Sequence, residues 1–226
     1  MFSWELTDLA KVELLDSIFR QLSPEHCRKL EQIAVEVPLK RGKQLFAPGD
    51  PSRGFYLVQE GTVRVYGMSL QGKEITQEIA GQGSAFALAS PFSGTYHCFA
   101  EALTDSRLYL IKKDEFLSLV TGDLGFATEW MRLLSQMVIQ LRRRLVDLTL
   151  RPPKARIASY LLVMLEMQNS QTITLPVPRK ELASFLGMTH ETFYRTAKEM
   201  ENADLVRFTG QKVEIVERHL LMELTE

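Results

Sequence analysis

Arg179-Lys-Glu-Leu-Ala-Ser-Phe-Leu-Gly-Met-Thr-His-Glu-Thr-Phe-Tyr-Arg-Thr-Ala-Lys198 has the grammar of a helix-turn-helix. Leu182 and Leu186 supply the inner face of a first helix, and Ala183 is small where a second helix has to cross closely. Gly187 supplies the turn, Met188 plugs the corner and Thr189 is a good N-cap for the next helix. Phe193 and Ala197 then point inward, while Thr196 stands where this pattern usually wants an aliphatic residue. The outer face is left with His190, Glu191, Tyr194, Arg195 and Lys198. Glu191 and Arg195 are one turn apart and reach the same groove floor. Arginine pairs bidentately with guanine, and glutamate accepts from cytosine N4. A solvent-exposed ion pair on an ordinary helix pair is the competing reading, and the flanking segments argue against it.

Upstream, Ala127, Met131, Leu134, Val138, Leu141, Leu145 and Leu148 recur at alternating steps of four and three. That is a heptad seam, narrower than the stripe of a surface helix. It predicts a helix over 124–150, about 40 Å long at about 1.5 Å per residue, joined to a second copy. The adjacent Arg142, Arg143 and Arg144 suit solvent better than a core. Pro152-Pro153 ends the helix and sets a domain boundary. Beyond it, 153–226 reads as helical, closing in a hairpin wing over 205–216 around Thr209-Gly210-Gln211.

Residues 34–112 differ in character. Glycines and prolines punctuate β-rich pieces, among them Gly54-Phe-Tyr-Leu-Val-Gln, Thr62-Val-Arg-Val-Tyr, Ile75-Thr-Gln-Glu-Ile and Arg107-Leu-Tyr-Leu-Ile, as in a small barrel or sandwich. Residues 5–32 look helical, with Leu14, Ile18 and Leu22 on one face and Ser23-Pro24 as N-cap and first-turn proline.

Composition bounds the rest. The 226 residues are 45% hydrophobic and 24% charged, so bulk disorder is excluded. Net charge is −1, which argues against a charge-dominated nucleic-acid binder but not against a specific reader. The longest apolar run, 160–165, is far too short for a membrane span. The N-terminus shows no basic segment of a signal peptide, and a cytoplasmic location is expected. Two cysteines, Cys27 and Cys98, exclude a disulfide scaffold and a four-thiolate cluster. A cupin-like metalloenzyme would need several histidines converging on one metal. Only His97 lies in the β zone; His26, His190 and His219 lie elsewhere, so no enzyme is expected.

The chain as a whole resembles the cyclic-AMP receptor protein and FNR superfamily of bacterial transcription regulators. The residues that carry this are Leu39-Lys-Arg-Gly-Lys-Gln-Leu-Phe-Ala-Pro-Gly-Asp50, Gly54-Phe-Tyr-Leu-Val-Gln-Glu-Gly61, Val63-Arg-Val65, Gly72-Lys-Glu-Ile75 and Glu191-Thr-Phe-Tyr-Arg195. The resemblance implies an α+β chain. An N-terminal β-roll (double-stranded β-helix) sensor would occupy 1–123, a dimerisation helix 124–150 and a winged helix-turn-helix 151–226. It further implies a homodimer that binds double-stranded DNA, with RNA polymerase as another partner. Glu191 and Arg195, flanked by His190 and Tyr194, would read bases; Arg179, Thr189 and Lys198 would touch phosphates. Tyr194 departs from the family, where glycine or serine is usual.

Members that bind cyclic nucleotides carry a glutamate for the ribose and an Arg-Ser pair for the phosphate. Here Leu88 stands at the first place and Tyr96-His97 at the second, while the long helix offers Leu141 and Arg142 where hydroxyls are expected. Burying a cyclic phosphate without its arginine is costly, so no cyclic nucleotide is expected, and no iron-sulfur cluster. An apolar pocket is expected from Phe86, Leu88, Phe92, Phe99, Met131, Leu134, Met137 and Val138, with His97, Met68 and Met131 as soft iron ligands. This resembles the haem-binding, gas-sensing branches and the nitrosative-stress branch that controls the hybrid-cluster protein. Haem sensing NO or another diatomic gas, a small apolar or aromatic effector, and no ligand remain the alternatives. Methionine stripes are often plain core filler.

Overall fold

The computed structural model describes residues 22–225. The helix expected over 5–32 is seen from α1 (Pro24–Gln32) onward, and its earlier part lies outside the described residues. Ser23 caps α1 by accepting from the His26 N–H, and Pro24 opens it.

Eight strands follow: β1 (Ala34–Leu39), β2 (Gln44–Phe46), β3 (Gly54–Glu60), β4 (Val63–Met68), β5 (Glu74–Ala80), β6 (Ala85–Phe86), β7 (Phe99–Ala102) and β8 (Ser106–Lys112). The short α2 (Ser90–Ser93) lies between β6 and β7. The strands form two antiparallel four-stranded sheets, ordered β1-β8-β3-β6 and β2-β7-β4-β5. β3 explains how the layers meet. Its Tyr56 and Val58 join Phe46, Val63, Val65, Phe86, Tyr96 and Leu108 in one core. The alternate residues Phe55 and Leu57 join Ile111, Phe116, Phe126, Trp130 and Leu133 in a second. A strand buried on both faces reads as an unbroken apolar run, as Phe55-Tyr-Leu-Val58 does. Gly54 starts it because nothing larger fits: a Cβ there would lie 1.9 Å from the Ile111 carbonyl oxygen.

α3 (Lys113–Gly122) and the 27-residue α4 (Leu124–Leu150) come next. The chain divides into two compact units between Val138 and Ile139, within α4. α4 carries two stripes. Phe126, Trp130 and Leu133 are buried in the second core, with Met137 packed partly against it. The other stripe is the heptad seam. Met131, Val138, Leu141 and Leu145 are 58%, 55%, 61% and 62% exposed, and Ala127 and Leu134 are half-buried. Leu148, at the end of the seam, also has a contact within its own chain. It is half-buried and approaches Gly187 of the helix-turn-helix so closely that a Cβ there would lie 2.7 Å from its Cδ2. Of the three arginines expected in solvent, Arg142 and Arg143 are exposed, but Arg144 is drawn in by the Phe185 carbonyl.

The second unit continues with α5 (Pro153–Gln168), β9 (Thr172–Thr174), α6 (Arg179–Phe185), α7 (His190–Asn202), the hairpin β10 (Val206–Thr209) and β11 (Lys212–Ile215), and α8 (Arg218–Glu223). The sheet order is β10-β11-β9. Ile157, Leu161, Ile173, Leu182, Phe193, Met200, Val213 and Leu221 form its buried interior.

Candidate functional site

The helix-turn-helix is α6, the turn at Gly187 and α7. Leu182 and Ala183 are buried on α6, and Phe193, Ala197 and Met200 on α7. Gly187 has φ +64°, the left-handed conformation glycine adopts at least cost. Met188 is half-buried at the corner, its N–H donating to the Ala183 carbonyl at 3.0 Å. Thr189 caps α7 by accepting from the Thr192 N–H at 3.2 Å. Thr196, the residue that fits the pattern badly, is nonetheless buried.

His190, Glu191, Tyr194, Arg195 and Lys198 are all exposed, as a groove-facing surface requires. Arg195 forms no ion pair or hydrogen bond among the described residues, so its guanidinium is uncommitted. Glu191 turns to the helix start instead. Its own backbone N–H and the Thr189 hydroxyl hold its carboxyl below the usual carboxylate range. It is therefore an ionised acceptor at neutral pH. Tyr194 is braced from two sides: the His190 ring lies edge-on at 4.4 Å, and the Arg179 guanidinium is 5.7 Å from its ring centre.

The residues expected at phosphates divide. Arg179 is a strut: its Nε and Nη2 donate to the Gly210 carbonyl at the wing turn, at 3.1 and 2.8 Å, and its guanidinium sits over Phe208. Lys198 pairs with Glu201 at 3.4 Å. Lys180 beside them is exposed and free of ion pairs among the described residues. It adjoins Arg179 at the start of α6.

In the first unit the eight residues expected around one pocket fall in more than one place, with Leu88, Leu134 and Met137 sharing one core. Phe86 lies in the core between the sheets and Leu88 in the core against α4. Phe92 is exposed and meets Phe116 edge-on, while Phe99 stacks on Tyr66 at 5.0 Å. Leu134 and Met137 line the second core, and Met131 and Val138 face outward on the seam. The space between the sheets is filled by aromatic rings. Tyr96 stacks on Phe46 at 3.8 Å with 7° between planes, and Tyr56 stacks on Phe86 at 5.4 Å. The Tyr96 hydroxyl donates to the Gly54 carbonyl at 3.1 Å, next to the Tyr56 hydroxyl at 3.3 Å. Burial raises the Tyr56 phenol well above its ordinary value. His97, Met68 and Met131, expected as soft iron ligands, are each exposed. Among the described residues no three of His, Cys, Asp and Glu group so as to hold a metal ion. Burial of the Cys98 thiol raises its pKa, which keeps it protonated.

A roll with a long helix, followed by a winged helix-turn-helix with an open reading face, defines a DNA-binding regulator with an effector-type domain. Residues 36–123 match the cyclic nucleotide-binding domain and residues 155–224 the Crp-like helix-turn-helix domain. The chain belongs to the Crp/FNR family of transcription regulators. It is similar to the global nitrogen regulator of Synechococcus elongatus, 25% identical over 218 residues covering 92% of this chain and 95% of the relative. The cyclic AMP receptor protein of Thermus thermophilus is 26% identical over 208 residues, covering 92% and 95%. The structure of FixK2 from Bradyrhizobium japonicum superposes with a TM-score of 0.77 at 21% identity, over 86% of this chain and 98% of that one. These relatives are regulators and not enzymes. Among the described residues no helix is long and apolar enough to cross a membrane.

Proposed function

We propose that this chain is a cytoplasmic homodimeric regulator that reads a pseudo-palindromic DNA site through Arg195 and Glu191, gated by a roll that takes no cyclic nucleotide. The observation that carries the reading is the outer face of α7. Arg195 is exposed and uncommitted one turn from an ionised Glu191, with Phe193, Ala197 and Met200 holding the opposite face in the core. That pair presents a bidentate donor and an acceptor to adjacent base edges in the major groove. Arg195→Ala should cost about 1–3 kcal/mol of specific binding, measured by fluorescence anisotropy on a site selected by the wild type. Unchanged specific affinity, with weaker non-specific binding, would mean that α7 docks another way.

The gating claim is supported by Tyr96. By the family resemblance it stands where a phosphate-binding arginine is expected, and it is buried against Phe46 with its hydroxyl engaged. A phenol engaged in this way brings no positive charge of its own to a phosphate. Haem sensing NO or a similar gas is a second reading, favoured by one observation: the exposed His97 imidazole is free of hydrogen bonds and ion pairs among the described residues. The described residues do not build an enclosed slot around it. Protein purified from haem-supplemented cells should show a stoichiometric Soret band that His97→Ala abolishes; no band in the wild type refutes the haem reading and leaves the DNA reading standing.

A further inference from the structure

The last three turns of α4 fall in the same compact unit as the helix-turn-helix. Three contacts from two arginines meet at the end of α6. Arg144 of α4 donates from Nη2 to the Phe185 carbonyl at 3.0 Å, with its guanidinium 4.2 Å over the Phe185 ring. Arg156 of α5 donates from Nη1 to the Leu186 carbonyl at 2.7 Å and to the Gly187 carbonyl at 3.1 Å. These are three successive carbonyls at the end of α6, which a helix leaves without intrahelical partners. Cationic donors suit that end of a helix dipole. Leu148 closes the arrangement against Gly187, where an added Cβ would also lie 3.2 Å from Arg156 Nη1.

We propose that Arg144 and Arg156 are positioning residues for DNA reading, holding the turn of the helix-turn-helix to the end of α4 and the start of α5. The inference rests on the function proposed above. Two features argue that the arginines set direction more than stability. Gly187 is exposed and Phe185 half-buried, so their carbonyls can be hydrated once an arginine is removed, although Leu186 between them is buried. The motif also has its own apolar support in Leu182, Ala183, Phe193 and Ala197. The Thr189 cap then carries the placement of the turn directly into the start of α7. In a two-fold dimer, the direction of the reading helices sets the permitted separation of half-sites.

The test uses the full-length dimer and three duplexes: the selected pseudo-palindrome, the same half-sites moved apart by one or two base pairs, and a single half-site. The wild type should discriminate strongly between the first two. Arg144→Ala and Arg156→Ala should lower that discrimination about tenfold while single half-site affinity stays within about twofold. Arg144→Lys should lie between, because lysine keeps the charge but loses the planar fork and the ring stack. Arg143→Ala, at an exposed neighbour without a partner among the described residues, should match the wild type. Unchanged spacing discrimination in both alanine variants overturns the proposal. So does loss of half-site affinity in step with the full site, which is the signature of arginines that merely keep the motif folded. Should either alanine variant fail to fold, Arg144→Lys and Arg156→Lys carry the same comparison. A wild type that selects no site removes the underlying function as well, an outcome distinct from a selective wild type with unaltered variants.

Discussion

The Tyr96 ring lies flat on Phe46, 3.8 Å apart, with its hydroxyl between the Gly54 carbonyl and the Tyr56 hydroxyl. A side chain at the position expected for ligand recognition is thus a part of the core. Titration calorimetry with cyclic AMP and cyclic GMP should show no binding. Tyr96→Ala should cost about 3–5 kcal/mol in urea unfolding, the range for deleting a large buried aromatic side chain. A loss under about 1 kcal/mol would mean that the ring is not a structural element.

Ala87, between Phe86 and Leu88, has φ +62°. A left-handed alanine costs about 1–2 kcal/mol relative to a conformation it prefers. Ala87→Gly should therefore stabilise the sensor unit by about 1 kcal/mol, read as a higher urea midpoint with unchanged slope. A lower midpoint would show that the Ala87 methyl contributes more by packing than the backbone loses by strain.

The start of α4 is tied to α1 by charge. His26 Nδ1 meets Glu129 at 2.6 Å and Nε2 lies 3.4 Å from Asp123, while Lys29 donates to Asp123 at 2.7 Å and pairs with Glu25 at 2.8 Å. The hydrogen bond from Lys29, with one from the Phe126 N–H, holds the Asp123 carboxyl at about 2. For Glu129, burial pushes upward but the His26 ring and Ser23 N–H prevail and hold it low. A carboxyl depressed in the folded state stabilises above its unfolded value, and that contribution is lost as pH falls through its folded value. Stability should decline between about pH 4 and pH 2, with a shallower decline in Asp123→Asn. A profile unaltered by that substitution would place the acid-sensitive groups elsewhere.

Leu141 and Leu145 are the apolar residues of the seam closest to its C-terminal end that remain mostly exposed in one chain. Glutamates at both would place charges where association must desolvate them. Leu141→Glu with Leu145→Glu should sediment as a monomer and lose site-specific DNA binding. Persistence of the dimer would move the interface off this stripe.

Much of this was legible in the sequence for physical reasons. The helix-turn-helix is a local motif: its turn, cap and inward residues lie within twenty positions, and all behave as their chemistry dictates. β3 announces itself by its unbroken apolar run and the long helix by its period. The second stripe of α4 was equally open to reading. Phe126, Trp130, Leu133 and Met137 repeat the 4-3-4 spacing of the seam one residue earlier. What escaped depends on partners distant in the chain. Nothing near Tyr96 says that Phe46 will meet it, nothing near Arg144 says that the Phe185 carbonyl lies in reach, and Leu148 keeps heptad phase while packing against Gly187. β9 escaped because three residues with one buried side chain, Ile173, form no periodic signal.

Selection of bound duplexes from a randomised DNA pool, run in parallel with wild type and Arg195→Ala, tests the central claim most directly. The wild type should enrich a pseudo-palindrome whose half-sites lie about one helical turn apart, and Arg195→Ala should lose selectivity at one base pair in each half-site. Enrichment of no symmetric sequence, or the same sequence from both proteins, would contradict it.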